Sequence, residues 1–368
     1  MRIKNLYFVL MNRNILASFL LVFISCFAYA QTGGHSTYDF LNLNANARIA
    51  AMGGNLISVM DDDINLFSQN PAALNPRMNN QLTLNYVPYV SKINYGYAAF
   101  AKNFDSIPGT FAIGVHYVNY GTFTRADETG QVLGEFSAGE FALNLGYAHQ
   151  FGKDSIFSVG GNLKTIISSL ESYSSWGMGL DLAGTYRGKK GFTASVVLRN
   201  IGAQFQAYTK GNAEALPFEI QVGISQQFAH LPFKISIISH NLQKPVLRYD
   251  DPNNQEPTVD PLTGEEIKQK KYIGDNIMRH FIFGGEFAPG KRKIFSLRIG
   301  YNYMRRQELK VDTRPGTMGL SWGIGLKISK FRFSYARAAY HLAGASNHIS
   351  ISTNISDFHK KEKPAPNE

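Results

Sequence analysis

Cysteine is almost missing from this sequence: there is 1, Cys26, and it falls in the apolar run 15–27 of what reads as a secretory leader. Arg2, Lys4 and Arg13 precede or open that run, and Ala28-Tyr29-Ala30 before Gln31 forms a small-x-small cleavage site, so residues 1–30 are set aside as signal peptide. A lipoprotein signal around Phe23-Ile24-Ser25-Cys26 is the rival reading. Phe23 fits that pattern poorly, and the cleavage site follows at once. The chain from Gln31 onward then has no disulfide and no thiol chemistry. It also lacks any run of ~18 apolar residues, which excludes a helical membrane span. The net charge of +10 falls to +7 without the three basic leader residues. No basic patch interleaved with stacking aromatics accompanies it, which leaves an anionic lipid or polysaccharide surface as a partner and excludes nucleic acid.

What is present is alternation. Phe111, Ile113, Val115 and Tyr117 fall on one face of a strand, and Ala112, Gly114, His116 and Val118 on the other. Phe141 to Tyr147, Phe218 to Ile224, Phe295 to Tyr301 and Leu320 to Leu326 repeat the split, with an apolar face opposite a small or polar one. Cut this way, the chain after Gln81 gives about fourteen segments of roughly nine to eleven residues, the pattern of an all-β transmembrane antiparallel barrel. A soluble secreted sandwich also alternates, but its strands need not keep a lipid-compatible face over that length. Only 2 Trp occur, yet 26 Phe and 19 Tyr supply aromatic girdles. Links after even-numbered strands are short, as from Phe151 to Asp154 and from Gly188 to Lys190. Links after odd-numbered strands are mostly long: Gly121 to Gly139, Gly202 to Ala215, Asn241 to Met278 and Arg305 to Met318. Short turns belong in the periplasm and long loops outside, so the expectation is an integral outer-membrane protein with both termini periplasmic. Residues 31–80, rich in Ala, Gly and Asn, are expected to fold as an N-terminal plug, 81–358 as the barrel, and 359–368 as a disordered periplasmic tail.

Within the plug three elements follow in order: Ala50-Ala51-Met52-Gly53-Gly54, Asp61-Asp62-Asp63, and Asn70-Pro71-Ala72-Ala73-Leu74-Asn75-Pro76. The glycines permit positive φ and close packing, and Pro71 forces Asn70 before it to be extended or turned. The series resembles the N-terminal hatch of FadL-like fourteen-stranded barrels. The stretch Thr32-Gly33-Gly34-His35-Ser36-Thr37-Tyr38-Asp39-Phe40-Leu41, with Ala47-Arg48 and Gln69-Asn70-Pro71-Ala72, is similar to the PorQ family, outer-membrane barrels of the type IX (Por) secretion system of Bacteroidetes. That resemblance implies a non-enzymatic component of a surface attachment complex. It would anchor a PorZ-like surface protein and work with a PorU-like sortase and a PorV-like barrel to process cargo and join it to lipopolysaccharide. A FadL-like channel for hydrophobic solutes is the alternative.

Other motifs have plainer readings. Gly319-Leu320-Ser321-Trp322-Gly323 matches a nucleophile elbow, but the alternation runs straight through it, and no catalytic residue is assigned. Asp61-Asp62-Asp63 suits a capped turn better than a metal site, since successive side chains diverge, and neither metal nor cofactor is expected. The inward charges Lys164, Asp181, Arg199, Glu219, Arg298 and Lys327 are expected to satisfy one another and the plug. The link from Asn241 to Met278 is long enough to carry function, and Asp250, Asp251, Asp260, Glu265, Lys270 and Tyr272 are its candidate partner-docking residues.

Overall fold

The computed structural model describes residues 36–248, 272–290, 292–309, 317–341 and 344–358. Fourteen strands form one closed antiparallel barrel in chain order, with β1 hydrogen-bonded to β14. They are β1 (Gln81–Pro88), β2 (Asn94–Phe104), β3 (Ile107–Ala126), β4 (Val132–Phe151), β5 (Phe157–Leu170), β6 (Tyr173–Arg187) and β7 (Phe192–Gln206). The second half comprises β8 (Glu219–Gln227), β9 (Phe233–Ser239), β10 (Phe281–Phe287), β11 (Phe295–Asn302), β12 (Leu320–Ile328), β13 (Phe331–His341) and β14 (Gly344–Asn354). Short helices α1 (Ala47–Ala51), α2 (Ile273–Arg279) and α3 (Tyr303–Glu308) complete it. The alternating pattern becomes the wall directly: Ile113, Leu145, Ile167, Val222, Leu297 and Trp322 are exposed, while Asn144, Ile166, Gln221 and Ser321 are buried in the lumen. Among the described residues no helix is long and apolar enough to cross a membrane; the crossing elements are the strands, whose backbone groups are satisfied by closure.

One end of the barrel carries tight turns and the other the long links. Two long links are more ordered than the sequence suggests. The stretch from Gly121 to Gly139 continues β3 and β4 as a hairpin, each strand being 20 residues long, where β1 has 8 and β9 has 7. Thr122, Phe123, Thr124, Val132 and Phe136 are good strand formers, and cross-strand pairing holds them together without help from neighbours. The 241–278 link closes with α2, while 249–271 lies outside the described residues.

The plug fills the lumen. Tyr38 lies at the loop end, with its hydroxyl on Ser175 Oγ. The chain descends to α1, turns back at the loop end through Gly53 and Gly54, reaches the turn end at Asp61-Asp62, and feeds into β1. Thr37 N donates to Ala215 O in the β7–β8 link (2.9 Å). Ser36, the described residue nearest the N-terminus, therefore sits at the loop end, whereas β1 begins and β14 finishes at the turn end. The plug therefore traverses the barrel before β1 begins; the expectation that both termini are periplasmic concerns the residues before Ser36 and the tail from His359, which lie outside the described residues.

Wall glycines form the seats for this plug. A Cβ on Gly300 would lie 2.1 Å from Gly53 N, one on Gly160 2.5 Å from Ala72 N, and one on Gly146 2.1 Å from Phe67 Cε2. The small inward residues of the alternation thus allow backbone to approach backbone. Gly300→Val is expected to destabilise the folded barrel by about 1–3 kcal/mol or more through overpacking. Gly184→Ala, where a Cβ meets nothing within 4 Å, should stay within about 0.5 kcal/mol. Urea titration of the barrel in micelles, read by gel heat-modifiability, distinguishes the two.

Candidate functional site: the plugged lumen and its loop-end mouth

The strongest polar junction between plug and wall centres on Arg48. It is 6 % exposed and lies in α1, which Asn46 caps by accepting from Ile49 N. Its guanidinium donates to Asp61 Oδ2 (2.7 Å), Asp63 Oδ2 (3.1 Å), Glu286 Oε2 (2.7 Å) and Glu286 Oε1 (3.0 Å). Arg298 Nε donates to Glu286 Oε1 (2.8 Å), and Lys234 Nζ lies 3.3 Å from Asp61 Oδ2. Three cations and three carboxylates, drawn from the plug and from β9, β10 and β11, thus interlock in a planar-donor network suited to arginine. Burial pushes the Asp61 carboxyl upward, but Arg48, Lys234 and Arg332 outweigh it and hold Asp61 well below the usual carboxylate range. Asp62 is likewise held down, against burial, by Arg332 at 3.1 Å. Asp61 and Asp62 pair with different wall cations, Lys234 and Arg332, while Asp63 shares Arg48 with Asp61 and also accepts from Asn65 N as a helix cap. Among the described residues no group of His, Cys, Asp and Glu is arranged to hold a metal.

The other plug motifs are anchoring points too. Gly53 and Gly54 adopt φ of 98° and 102°, a conformation costly for any residue with a Cβ. Arg305 Nη1 donates to Gly53 O (3.3 Å), and the Arg305 guanidinium lies 3.8 Å from the Tyr340 ring centroid. Of the two conformations open to it before Pro71, Asn70 takes the extended one (φ −144°, ψ 102°); its side chain accepts from Ala72 N and donates to Ile57 O (2.6 Å) and Thr185 Oγ1 (3.0 Å). Ser158 Oγ donates to Ala72 O (2.7 Å). Ser321, the central residue of the elbow-like motif, sits in an unbroken β12 and bonds Ala51 O (3.0 Å) and Gly53 N (3.1 Å). The inward charges pair as expected, Lys164 with Asp181 (2.8 Å), Arg199 with Glu219 (3.7 Å) and Arg298 with Glu286; Lys327 is exposed at the turn end.

Little room remains. A lumen cavity of about 20 Å³ is lined by residues that include Leu41, Gln69, Tyr97, His116 and Arg199, and one of about 50 Å³ lies at the turn end among Asp61, Glu286, Lys293 and Arg332. Gln69, Tyr97, His116 and Arg199 each carry a buried polar atom without a protein partner, so the lumen cavity suits water rather than an apolar molecule. Pockets for organic ligands run to about 300–1,000 Å³.

Of the loop residues singled out from sequence, Asp250, Asp251, Asp260, Glu265 and Lys270 lie outside the described residues. Tyr272 is exposed, with the Arg248 guanidinium 3.5 Å from its ring centroid. Sequence reasoning missed Arg48 as the hub; a single arginine among Asn, Ala and Ile in a segment destined for the lumen was the available signal. It also missed the loop-end mouth, where Tyr38, Tyr120 and Tyr208 gather over the plug.

No protein-family model and no curated protein matches the chain. Among solved structures it is similar to the toluene transporter TodX of Pseudomonas putida (13% identity, 84% of this chain and 97% of that one, TM-score 0.46). It is also similar to a FadL homologue of Pseudomonas aeruginosa (10% identity, 88% and 100%, TM-score 0.47) and to the monoaromatic hydrocarbon channel CymD (13%, 86% and 97%, 0.45). The closed fourteen-strand wall rests on this chain's own strand pairing, and these likenesses say nothing about a solute or partner here.

Arg48→Met should cost about 3–5 kcal/mol by leaving buried carboxylates uncompensated. Because Asp61 is depressed in the folded state, its contribution is complete above the unfolded carboxylate pKa of ~3.9 and is lost as pH falls through the lower folded value. Plug retention should thus be flat from pH 7 to about pH 4 and weaken only in stronger acid, and Asp61→Asn should weaken it already at neutrality. Limited proteolysis of the plug across pH measures both.

Proposed function

We propose that this barrel is a non-enzymatic outer-membrane anchor that holds a surface protein at its loop end. It would act as the PorQ-like component of a type IX attachment complex, working beside lipopolysaccharide with PorZ-, PorU- and PorV-like partners. The observation that carries the anchoring role is the plug bonded to wall strands around the barrel, with cavities of about 20 and 50 Å³ among the described residues, both the size for water. The assignment to a particular secretion system is supported by the resemblance at Thr32 to Leu41 and at Gln69 to Ala72. The loop end would face outward and the turn end the periplasm.

The rival is a channel for hydrophobic solutes. It requires the plug to leave Arg48 and Asn70's partners and open a path of several hundred Å³. Comparing wild-type and null strains separates the two. An anchor predicts that the null strain releases surface proteins to the medium and leaves them unprocessed, with hydrocarbon uptake unchanged. Normal surface retention with impaired uptake refutes the anchor and establishes the channel. For orientation, a cysteine at Gln131 should react in intact cells with an impermeant maleimide and one at Lys189 should not; the reverse pattern overturns the proposed sidedness.

A further inference from the structure

The hairpin of β3 and β4 rises above its neighbours. Pairing of β2 with β3 stops at Asn94 and Asn119, and pairing of β4 with β5 stops at Ala138 and Leu170, while β3 and β4 stay paired from Gly121 with Ala138 to Ala126 with Val132. Six residues of each strand, roughly 20 Å at ~3.3 Å per residue, therefore form a two-stranded ribbon. On the β4 side Glu171 N donates to Ser137 O and Glu171 pairs with Arg125. On the β3 side, among the described residues, no backbone group bonds to the outer edge of Thr122 to Ala126. Exposed edges are usually blunted by proline, charged side chains, bulges, brevity or a covering loop. Here the register shifts on either side, at Asn119/Gly121 and Arg125/Ala126, and the one charge, Arg125, is paired with Glu171; Thr122, Phe123 and Thr124 between them are neither proline nor charged, and all three are exposed.

The ribbon has two unlike faces. On β4 the alternation that sends Phe141 and Leu143 outward places Phe136 on the mouth side. The bulge at Tyr120 brings Phe123 opposite it, their rings stacked with centroids 5.3 Å apart. Phe123 is 41% exposed, and Val132 and Leu133 near the tip are 64% and 61% exposed. The opposite face carries Thr122, Thr124, Glu135 and Ser137.

We propose that the free β3 edge is the docking element for the surface partner, which adds an extended strand to Thr122 to Ala126 and lays an apolar side chain over Phe123 and Phe136. A row of unpaired N–H and C=O groups at strand spacing is complemented by another strand and by no solute or lipid, and the aromatic pair fixes which alternate residues of that strand are apolar. The inference rests on the anchoring role proposed above.

Hydrogen exchange on the purified barrel and on the complex isolated from native membranes in mild detergent tests the edge. Alternate amides within 121–126 should gain at least 100-fold protection in the complex, with the barrel strands unchanged. Protection in the purified barrel that grows with its concentration would mean that a second copy of this chain fills the edge, and would overturn the proposal. So would a complex in which 121–126 exchange as in the free barrel. In cells, Phe123→Ser with Phe136→Ser should reduce partner retention at least 10-fold. A variant in which residues 121–137 are replaced by a tight turn should do the same, and heat-modifiability should show both still folded. If wild type retains a partner and both variants retain it equally, docking at this edge is wrong and the anchoring role survives. If the null strain loses nothing from its surface, both fall together.

Discussion

A wall of fourteen strands encloses more space than its own inward side chains fill, and that space must be occupied without stranding polar groups. The rest of the structure follows from how this is met. The plug brings carbonyls and amides into the lumen as irregular backbone, which is tolerable at membrane depth only where protein surrounds it. Wall glycines let that backbone come within contact distance, and serines, threonines and asparagines on the wall take up its hydrogen bonds. Arg48 resolves the largest electrostatic difficulty, three carboxylates gathered near one end, by fastening them to each other and to the wall.

The same constraint bears on function. A lumen filled by directional hydrogen bonds and paired charges is a poor route for an apolar solute, since every group uncovered by plug movement would need a new partner. In the anchoring role proposed above, the activity lies on the barrel's surfaces. The loop end is uneven, tall at β3 and β4 and low at β1 and β8 to β11. The tall side carries exposed aromatics and an uncovered strand edge in the same place, so a strand arriving there would find hydrogen bonds and apolar contact together.

The low walls and the tall ribbon share one origin. Strand length above the membrane is free to vary because water can satisfy the backbone there, whereas within the bilayer it cannot. A hairpin such as Gly121 to Gly139 therefore depends on its own cross-strand pairs, and alternation is a weaker guide to it than in the membrane band.

The sequence by itself determined the wall: strand number, facing and turn placement were legible, because lipid imposes a period of two on every crossing segment. It also marked Gly53, Gly54, Asn70 and Pro71 as backbone-shaping positions, since positive φ and pre-proline geometry are properties of local chain chemistry. The tertiary structure alone decided what those segments touch. That Arg48 meets Glu286, that Gly300 seats Gly53, that Ser36 emerges at the loop end and that β3 outruns β2 are relations between residues far apart in the chain. No local period encodes them, because they are fixed by how the plug folds back on itself inside a closed wall.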